Sequence, residues 1–545
     1  MKLYAATLDF RAVAREFGVP EKFPPQLHEE AAAVRDLRPA RRDLTDVPFV
    51  TIDPPGSMDL DQAMFLEVVR EGAADGAADG AAGDAADGDR AEETAGDREG
   101  AADGTAFRVL YAIADVGGLI EPDSGIAEEA MRRGQTIYLP DEPTRLHPAG
   151  LSEGAGSLLP QEVRPALVWD IALDARGEPV SWDLYPALVR SVARLEYVEV
   201  QASFDAGSPH PSIAALPELG ELRQRSALRR EAINLRLPSQ SVEPTGDGRW
   251  ELHLDARPPV MDWNSEISLL AGMVAGRMMA DAGVGVLRTL RPAGREAVEE
   301  FCVAARALGY DFTAGDDIGA FLMGVDAESP RGMAVMKDAT RLLRGAGYRR
   351  VETLADESEG DPKGNPADGP DGTDVANEQA DGSGGTGAAS VRADVPLHAG
   401  VGGPYAHVTA PLRRLIDRFG LEYCLAIAAH RRGDTADLEV PAWVTEQADE
   451  AISVMASSGQ LASRVDRACL DLTEAVVLEP WIGHAFDSAV LHDRGESSEV
   501  FVFEPPVFAD CAGAPPEGTA QRVSLITADA SEPAAAEVRF AWPAD

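Results

Sequence analysis

The sequence has few cysteines, few aromatic residues and no long apolar run. Its four cysteines lie far apart and none forms a C-x-x-C pair, which argues against a zinc site and against a disulfide framework. The expected compartment is therefore the reducing cytoplasm. The longest apolar stretches are too short, or too broken by Gly and charge, to span a bilayer, so no membrane partner is expected. The start, MKLYAATLDF, lacks the basic and apolar regions of a signal peptide.

Positive charge is also scarce, and the formal net charge is −43. This balance argues against a nucleic-acid binder at first sight, because neutralisation of phosphates by basic residues drives such binding. However, residues 71–104 and 352–394 each hold 11 acidic and 2 basic residues. The rest of the chain remains acidic, but the charge of a whole chain governs solubility and steering rather than the sign of charge inside one cleft.

Two acidic low-complexity segments, 71–104 and 353–394, are predicted to be solvated, disordered loops. Neither has enough apolar content to offset the entropy lost on ordering. Both interrupt stretches that otherwise form one folded unit, and such insertions cost little because loop-closure entropy grows only logarithmically with length. A regulatory or partner-binding role is the alternative interpretation.

The remaining pattern predicts a mixed α+β protein. Residues 1–46 indicate a short helical segment that is broken at Pro24 and Pro25. Apolar and β-branched runs predict strands at 47–53, 64–69, 107–116 and 166–174. Helical spacing predicts helices at 125–133, 265–282, 295–308 and 445–470. After Pro480, short strands alternate with Gly, Pro and Asp turns, which is typical of a small all-β barrel.

The segment TIDPPGSMDLDQAM at 51–64 carries three carboxylates, Asp53, Asp59 and Asp61. The Pro-Pro-Gly between them favours a tight bend that folds the later groups back on the first. Convergent carboxylates stay ionised only when a cation neutralises them, and oxygen ligands at this density suit Mg²⁺. Mg²⁺ beside a phosphodiester activates water and stabilises the leaving oxygen. Taken alone, the segment also fits a solvated acidic turn or an adventitious Ca²⁺ loop.

The segment GPYAHVTAPLRRLIDRFG at 403–420 predicts an apolar turn ending in Pro411, followed by a helix that carries Arg413, Arg414 and Arg418. Arginine forks match phosphate oxygens bidentately and stabilise charge that develops in phosphoryl transfer. The alternative is an amphipathic helix with a solvated basic face.

Two further residues stand out. Tyr138 lies in a Pro-flanked loop, where its ring can stack on a base, a contact worth roughly 1–3 kcal/mol. The alternative is a core aromatic. His407 is interpreted as a hydrogen-bonded core residue rather than a metal ligand.

Seven segments occur in a fixed order: TIDPPGSMDLDQA, YAIADV, RRGQTIYLPD, GLSEGAGSL, VRSVARLEYVEVQ, SEISLLAG and YAHVTAPLRR. Together they resemble the catalytic RNB domain of the ribonuclease II / ribonuclease R family over roughly 47–480, apart from the two insertions. The resemblance implies an RNB-type catalytic domain of curved sheets flanked by helices at 47–475, after a short helical segment at 1–46. The stretch 480–545 resembles, more loosely, the family's C-terminal OB-like RNA-binding barrel.

Family members degrade RNA from the 3′ end and release nucleoside 5′-monophosphates. The resemblance therefore implies a Mg²⁺-dependent 3′-to-5′ exoribonuclease, with Mn²⁺ as a substitute metal, single-stranded RNA as partner and a monomeric state. Two alternatives stay open. One is a catalytically weak or inactive relative that binds RNA, and the other is a hydrolase of very short oligonucleotides.

The family's four acidic positions fall on Asp53, Asp59, Asp61 and Gln62. The resemblance implies that Asp53 holds metal, that Asp59 supports the same cluster and that Asp61 is most closely tied to the chemical step. The fourth position is normally a metal-binding Asp. A Gln62 carbonyl can coordinate Mg²⁺ but brings no negative charge, so weaker metal affinity, a need for more Mg²⁺ or lost turnover is expected.

The RNA contacts follow from the same resemblance. The arginine at the scissile phosphate matches Arg413, with Arg414 beside it, and the aromatic that clamps bases near the 3′ end matches Tyr138. Glu266 matches a further acidic position at the start of the LLAG helix. The family's paired N-terminal cold-shock barrels are expected to be absent, since 1–46 has no β-barrel pattern, and a more open channel with lower RNA affinity follows. The C-terminal barrel lacks a clear basic stripe.

Overall fold

The computed structural model describes residues 8–20, 22–69, 105–226, 232–233, 235, 240–245, 249–254, 258–343, 345–351 and 398–544. The two acidic segments predicted to be loops, 71–104 and 353–394, lie outside these residues. The described part mixes helices and sheets, which confirms the predicted fold class.

The first half of the chain forms a closed five-stranded barrel. Its strands are β1 (Arg42–Asp53), β2 (Gln62–Val68), β3 (Phe107–Ala114), β4 (Val163–Leu173) and β5 (Pro179–Glu196). Neighbours along the chain pair antiparallel, and β5 closes the barrel by pairing parallel with β1. Val68 pairs with Phe107, so the first acidic segment joins two antiparallel partners, as predicted for a hairpin.

Helices cover the barrel and extend the fold. They are α1 (Phe10–Glu16), α2 (Pro25–Ala32), α3 (Gly125–Arg133), α4 (Tyr197–Asp205), α5 (Leu216–Gln224), α6 (Pro259–Ala282), α7 (Arg295–Ala307), α8 (Ile318–Gly324), α9 (Pro330–Ala339), α10 (Leu415–Arg432) and α11 (Ala442–Leu478). Apolar faces of α6 and α10 share one buried core with barrel residues such as Tyr111 and Trp169. None of the described helices has the length and apolar content that a bilayer span requires.

Local signals predicted several elements closely. Helix α3 has the predicted bounds, the Ser124 hydroxyl accepts from the Ala127 amide at 3.2 Å, and Gly134 ends the helix at φ +74°. The predicted helical character of 1–46 ends early, however, because β1 begins at Arg42. There the chain pairs with β5, with Arg42 opposite Ala187, and this long-range pairing decides the conformation.

The C-terminal region forms a second closed five-stranded barrel, which confirms the small barrel predicted after Pro480. Its strands are β10 (Ala485–Asp493), β11 (Ser497–Phe503), β12 (Pro506–Ala512), β13 (Ala520–Asp529) and β14 (Glu537–Ala541). Two short antiparallel sheets of two strands each lie between the barrels along the chain, β6 (Gln240–Pro244) with β7 (Trp250–Leu254), and β8 (Val286–Thr289) with β9 (Gly347–Arg350). The last turns of α11 enter the core of the second barrel.

A buried charge cluster ties the N-terminal segment to the first barrel and to helix α10. Asp115 follows β3 and is 1% exposed. Its carboxylate accepts from Arg38 Nε at 2.6 Å and from Arg41 Nη2 at 2.8 Å, and Arg38 also donates to Glu422 of α10 at 2.6 Å. Burial alone would raise the pKa of Asp115, but the two guanidinium groups hold it below its usual value.

Replacement of Asp115 by Ala is expected to lower the free energy of unfolding by about 3–5 kcal/mol, because two buried arginines lose their shared carboxylate. Urea denaturation followed by tryptophan fluorescence measures this change. Arg295→Ala is the matched control, since Arg295 forms an exposed pair with Glu299 and little change is expected there. Equal stability of the two variants would contradict the structural role of the cluster.

Candidate active site

The acidic segment forms a bent connection between β1 and β2. Asp53 is the last residue of β1 and Gln62 is the first residue of β2. The Ser57 amide donates to the Pro54 carbonyl at 3.2 Å, and Gly56 has φ +78°, a conformation that favours glycine. The bend predicted from Pro-Pro-Gly is therefore present, and it brings residues 59–61 back towards the end of β1.

Side chains from elsewhere in the barrel hold this bend in place. The Ser157 hydroxyl donates to the Met58 carbonyl at 2.6 Å and accepts from the Leu60 amide at 3.0 Å. On the other side, Arg194 of β5 donates to the Ser57 carbonyl at 3.0 Å. The backbone that carries the aspartates is thus hydrogen-bonded on both sides.

Asp61 joins the acidic bend to the arginine segment. Its side chain is buried, Oδ1 accepts from the Leu412 amide at 2.7 Å and Oδ2 lies 3.4 Å from Arg413 Nε. Burial raises the pKa of Asp61 to about 8, although the Arg413 charge and the Leu412 amide oppose this shift. The carboxylate and the arginine predicted from distant motifs therefore lie in contact.

Asp53 and Asp59 lie beside this pair. Asp53 Oδ2 is buried and has no hydrogen-bond partner. Burial raises the pKa of Asp53 to about 6, and the Asp59 charge adds to the shift. Burial also raises the pKa of Asp59, whose Oδ2 lies 3.4 Å from the Tyr138 hydroxyl. A buried carboxylate oxygen without a partner needs a proton or a cation, so Asp53 fits the ligand role predicted for it.

The three aspartates do not lie close enough together to form a complete metal site by themselves. Within the described ranges, three possible ligands do have atoms that all lie within 4.8 Å of one another. Those three are other residues at a different place in the fold. Asp61 instead accepts from the Leu412 amide and contacts Arg413, which accounts for the open arrangement of the three carboxylates. Mg²⁺ usually keeps several waters and uses one or two carboxylates plus substrate phosphate, so an open arrangement remains compatible with it.

The prediction that Arg413 and Arg414 lie within a helix was wrong, because α10 begins at Leu415. The Thr136 amide donates to the Arg413 carbonyl at 2.9 Å, and the Leu415 amide donates to the Gly134 carbonyl at 2.9 Å. These hydrogen bonds hold Arg414 in an extended conformation, with φ −133°, whereas Arg413 lies in the preceding turn, where its amide donates to the Ala410 carbonyl at 3.2 Å.

The three arginines of this segment differ in their surroundings. Arg414 donates to Asp417 at 2.9 Å, and the buried Asp417 also accepts from the Thr409 and Ala410 amides. Arg418 is 4% exposed and donates to a backbone carbonyl. A solvated basic face is therefore wrong for these two residues. The Arg413 side chain, in contrast, is 43% exposed, and its charge lowers the pKa of Asp53, Asp59 and Asp61 against the effect of burial.

Tyr138 opens onto a groove of about 310 Å³ that Arg413, Arg414 and helix α11 also line. Its side chain is 51% exposed, so the interpretation as a core aromatic was wrong.

His407, in contrast, matches its interpretation as a hydrogen-bonded residue, with Nδ1 at 2.8 Å from the Tyr348 hydroxyl.

Gln62 has a partner inside the barrel. Its Oε1 accepts a short hydrogen bond from the Tyr111 hydroxyl of β3. One lone pair of the amide oxygen is thus already in use. A metal contact through this oxygen competes with Tyr111 or shares the oxygen with it.

Glu266 is buried at 4% exposure on α6 and does not line the groove beside Tyr138. The helix begins at Pro259, well before the predicted start near Glu266, because proline is favoured in the first helical turn. The role of Glu266 as an RNA contact stays a prediction.

Three residues near Asp53 were missed by sequence reasoning. The Tyr197 hydroxyl accepts from Asn264 Nδ2 at 3.1 Å, and burial together with the Asp53 charge raises the pKa of Tyr197. Arg194 lowers the pKa of Asp53. Arg194 and Tyr197 both fall in VRSVARLEYVEVQ, one of the seven resembling segments, which was the available signal.

Comparisons with known proteins show the family and the fold of the chain. The RNB domain model matches residues 41–419, and the model of the RNase II-type exonuclease C-terminal S1 domain matches residues 484–542. Ribonuclease R of Vibrio cholerae is 24% identical over 326 residues, which cover 57% of this chain but only 36% of that relative.

Two solved structures show the same fold. Mycoplasma genitalium RNase R in complex with ribose-methylated single-stranded RNA has a TM-score of 0.74 at 17% identity and covers 97% of this chain and 77% of its own. Yeast Ssd1, described as a pseudonuclease, has a TM-score of 0.59 at 15% identity over 94% of this chain and 55% of its own.

Asp61→Asn is expected to stabilise the protein more at pH 8 than at pH 5. The raised pKa means that the folded state holds the Asp61 proton more tightly than the unfolded chain, so ionisation between the ordinary aspartate pKa and about 8 destabilises the fold. The gap between variant and parent should widen by at least about 1.4 kcal/mol, the equivalent of one pKa unit.

Urea denaturation at both pH values, with EDTA present, measures this gap. An Asn substitution at the exposed Asp46 serves as the control. A gap of the same size at pH 5 and pH 8 would mean that Asp61 ionises freely in the folded protein.

Proposed function

Because the chain belongs to the ribonuclease II / ribonuclease R family of RNB-domain proteins, we propose that it hydrolyses single-stranded RNA from the 3′ end with bound Mg²⁺. The products are nucleoside 5′-monophosphates, and Mn²⁺ is expected to substitute for Mg²⁺. The observation that carries this proposal is the contact between the buried Asp61 and the half-exposed Arg413, beside the partnerless oxygen of Asp53.

Each residue has a role that its surroundings support. Asp53, with its buried and partnerless Oδ2, is the main candidate to hold the metal, and Asp59 supports the same position. When bound, Mg²⁺ supplies Lewis-acid activation of water and stabilises the leaving oxygen. Arg413 offers an accessible guanidinium fork to the scissile phosphate. Asp61 fixes Arg413 and the Leu412 backbone, so it sets the position of that fork.

Arg414 acts as a positioning residue in this proposal. Its ion pair with the buried Asp417 holds the turn at 408–414 against the start of α10, and this turn presents both Arg413 and the Leu412 amide. Tyr138, half-exposed beside Arg413 in the same groove, offers a ring on which the terminal base stacks.

Comparison with a solved structure also supports RNA as the proposed substrate. A structural neighbour with the same fold, Mycoplasma genitalium RNase R, is described in complex with single-stranded RNA. The overall acidity of the chain does not oppose this, because Arg413 places positive charge at the site itself.

The central prediction is that a 5′-labelled single-stranded RNA, incubated with the protein and Mg²⁺, shortens progressively from the 3′ end. Asp61→Asn should lower the rate by a factor on the order of 100 or more, because Arg413 loses the carboxyl group that anchors it. EDTA should abolish the reaction, and the exposed Asp46→Asn should leave it unchanged. Activity confined to oligomers of a few nucleotides would instead select the short-oligonucleotide hydrolase.

Gln62 favours a second candidate function, an RNA-binding protein with weak or no turnover. The residue brings no charge to the cluster, and its carbonyl oxygen already accepts from Tyr111. Intact RNA that remains bound to the protein in the same assay would select this candidate.

Gln62→Asp is expected to lower the Mg²⁺ concentration needed for half-maximal rate by about fivefold or more, since unit charges 4 Å apart attract by about 1 kcal/mol even in water. Tyr111→Phe is the matched control, because it removes the hydrogen bond to Gln62 without adding charge. Measurement of the rate against Mg²⁺ concentration tests this. An unchanged Mg²⁺ requirement in Gln62→Asp would remove Gln62 as the cause of weak metal binding.

A further inference from the structure

A second cluster of possible metal ligands lies far along the chain from the acidic bend, where helix α9 meets the C-terminal barrel. It consists of Asp338 of α9, His492 of β10 and Glu517, which precedes β13. His492 Nδ1 lies 3.0 Å from an Asp338 oxygen and 3.7 Å from a Glu517 oxygen. One possible ligand atom from each of the three residues lies within 4.8 Å of the others.

Asp338 gives an independent indication that this cluster binds a ligand, because the contacts within the protein leave one of its oxygens without a partner. The residue is 3% exposed, and its Oδ2 is buried without a hydrogen-bond partner. Arg341 Nη2 donates to the other oxygen, Oδ1, at 2.8 Å. Burying a carboxylate oxygen without a partner is costly unless a proton or a cation satisfies it.

Glu517 and His492 also offer possible ligand atoms. One Glu517 oxygen accepts from the Asp493 amide at 2.7 Å. His492 Nδ1 is itself buried without a hydrogen bond of good geometry. All three residues line a cavity of about 580 Å³, which gives water and small ions access.

We propose that Asp338, His492 and Glu517 bind a divalent transition metal of the zinc type, with water from the cavity in the remaining position. Zinc bonds of about 2.1 Å in a tetrahedron put neighbouring ligand atoms about 3.4 Å apart. The observed separations from His492 Nδ1, 3.0 and 3.7 Å, bracket that value. The imidazole favours zinc-like metals over Mg²⁺ and Ca²⁺, which prefer oxygen ligands alone.

The proposed metal would join two parts of the fold. Asp338 belongs to a helical unit with its own apolar core, whereas His492 and Glu517 belong to the barrel. Helix α9 also packs Met333 against barrel residues, and its Lys337 pairs with Glu499 at 2.6 Å. A metal here therefore fixes the barrel to α9, and it stabilises the folded state because the unfolded chain has no preformed site.

The test is metal binding by the whole chain after treatment with EDTA and removal of the chelator. Co²⁺ is titrated with visible absorption as the readout, and Zn²⁺ content is measured by elemental analysis. Millimolar Mg²⁺ is kept present throughout to occupy the acidic bend. The expected result is one tightly held Zn²⁺ or Co²⁺ per chain and a higher Tm with Zn²⁺.

His492→Gln should weaken this binding by at least about 100-fold, since loss of outer contacts alone costs about 10–100-fold. Asp338→Asn should have the same effect, whereas His484→Gln, an exposed histidine of the same barrel, should bind like the parent. RNA cleavage is measured separately, so its loss would not bear on this site. Absence of Co²⁺ or Zn²⁺ binding, or equal binding by His492→Gln and the parent, would overturn the proposal.

Discussion

The candidate site depends on one buried carboxylate, that of Asp61. It receives the Leu412 amide and lies against Arg413, so it connects two segments that are 351 residues apart in sequence. The desolvation of this group is unfavourable, as its raised pKa shows, and these two contacts offset part of that cost. Barrel strands β1 and β2 carry the acidic bend, and the arginine segment leads into α10, so the packing of the barrel against α10 brings Asp61 and Arg413 into contact.

Features set by local sequence were predictable, and features set by distant pairing were not. The Ser124 cap, the Gly134 stop and the Pro-Pro-Gly bend each depend on a few adjacent residues, and all three are present. Arg413 lies in a turn and Arg414 is extended because this segment is hydrogen-bonded to residues 134–136, so helical spacing alone misplaced both arginines. The bond between Gln62 and Tyr111 needs the register of β2 and β3, and the Asp338, His492 and Glu517 cluster needs three elements with no shared motif.

The scarcity of positive charge becomes understandable from where the arginines lie. Arg38 and Arg41 are paired with the buried Asp115, Arg414 is paired with Asp417, and Arg418 is bonded to a backbone carbonyl. These four arginines stabilise the fold and are not available to bind phosphate. Arg413 keeps an accessible guanidinium among the aspartates. In the proposed function, attraction of a phosphate chain is therefore local to the site around Arg413, and net charge describes the solubility of the protein more than its chemistry.

Gln62 affects the pKa values of the neighbouring aspartates as well as the affinity of the site for a metal ion. Burial already raises the pKa of Asp53 to about 6 and that of Asp61 to about 8. A fourth carboxylate at position 62 would raise both further, because like charges in one site oppose ionisation. A neutral amide held by Tyr111 avoids that repulsion and leaves fewer charges to attract a cation. Without metal, the aspartates therefore ionise more easily than they would beside a fourth carboxylate. They also hold a metal ion more weakly. The two effects are inseparable because both arise from the charge that is missing at position 62.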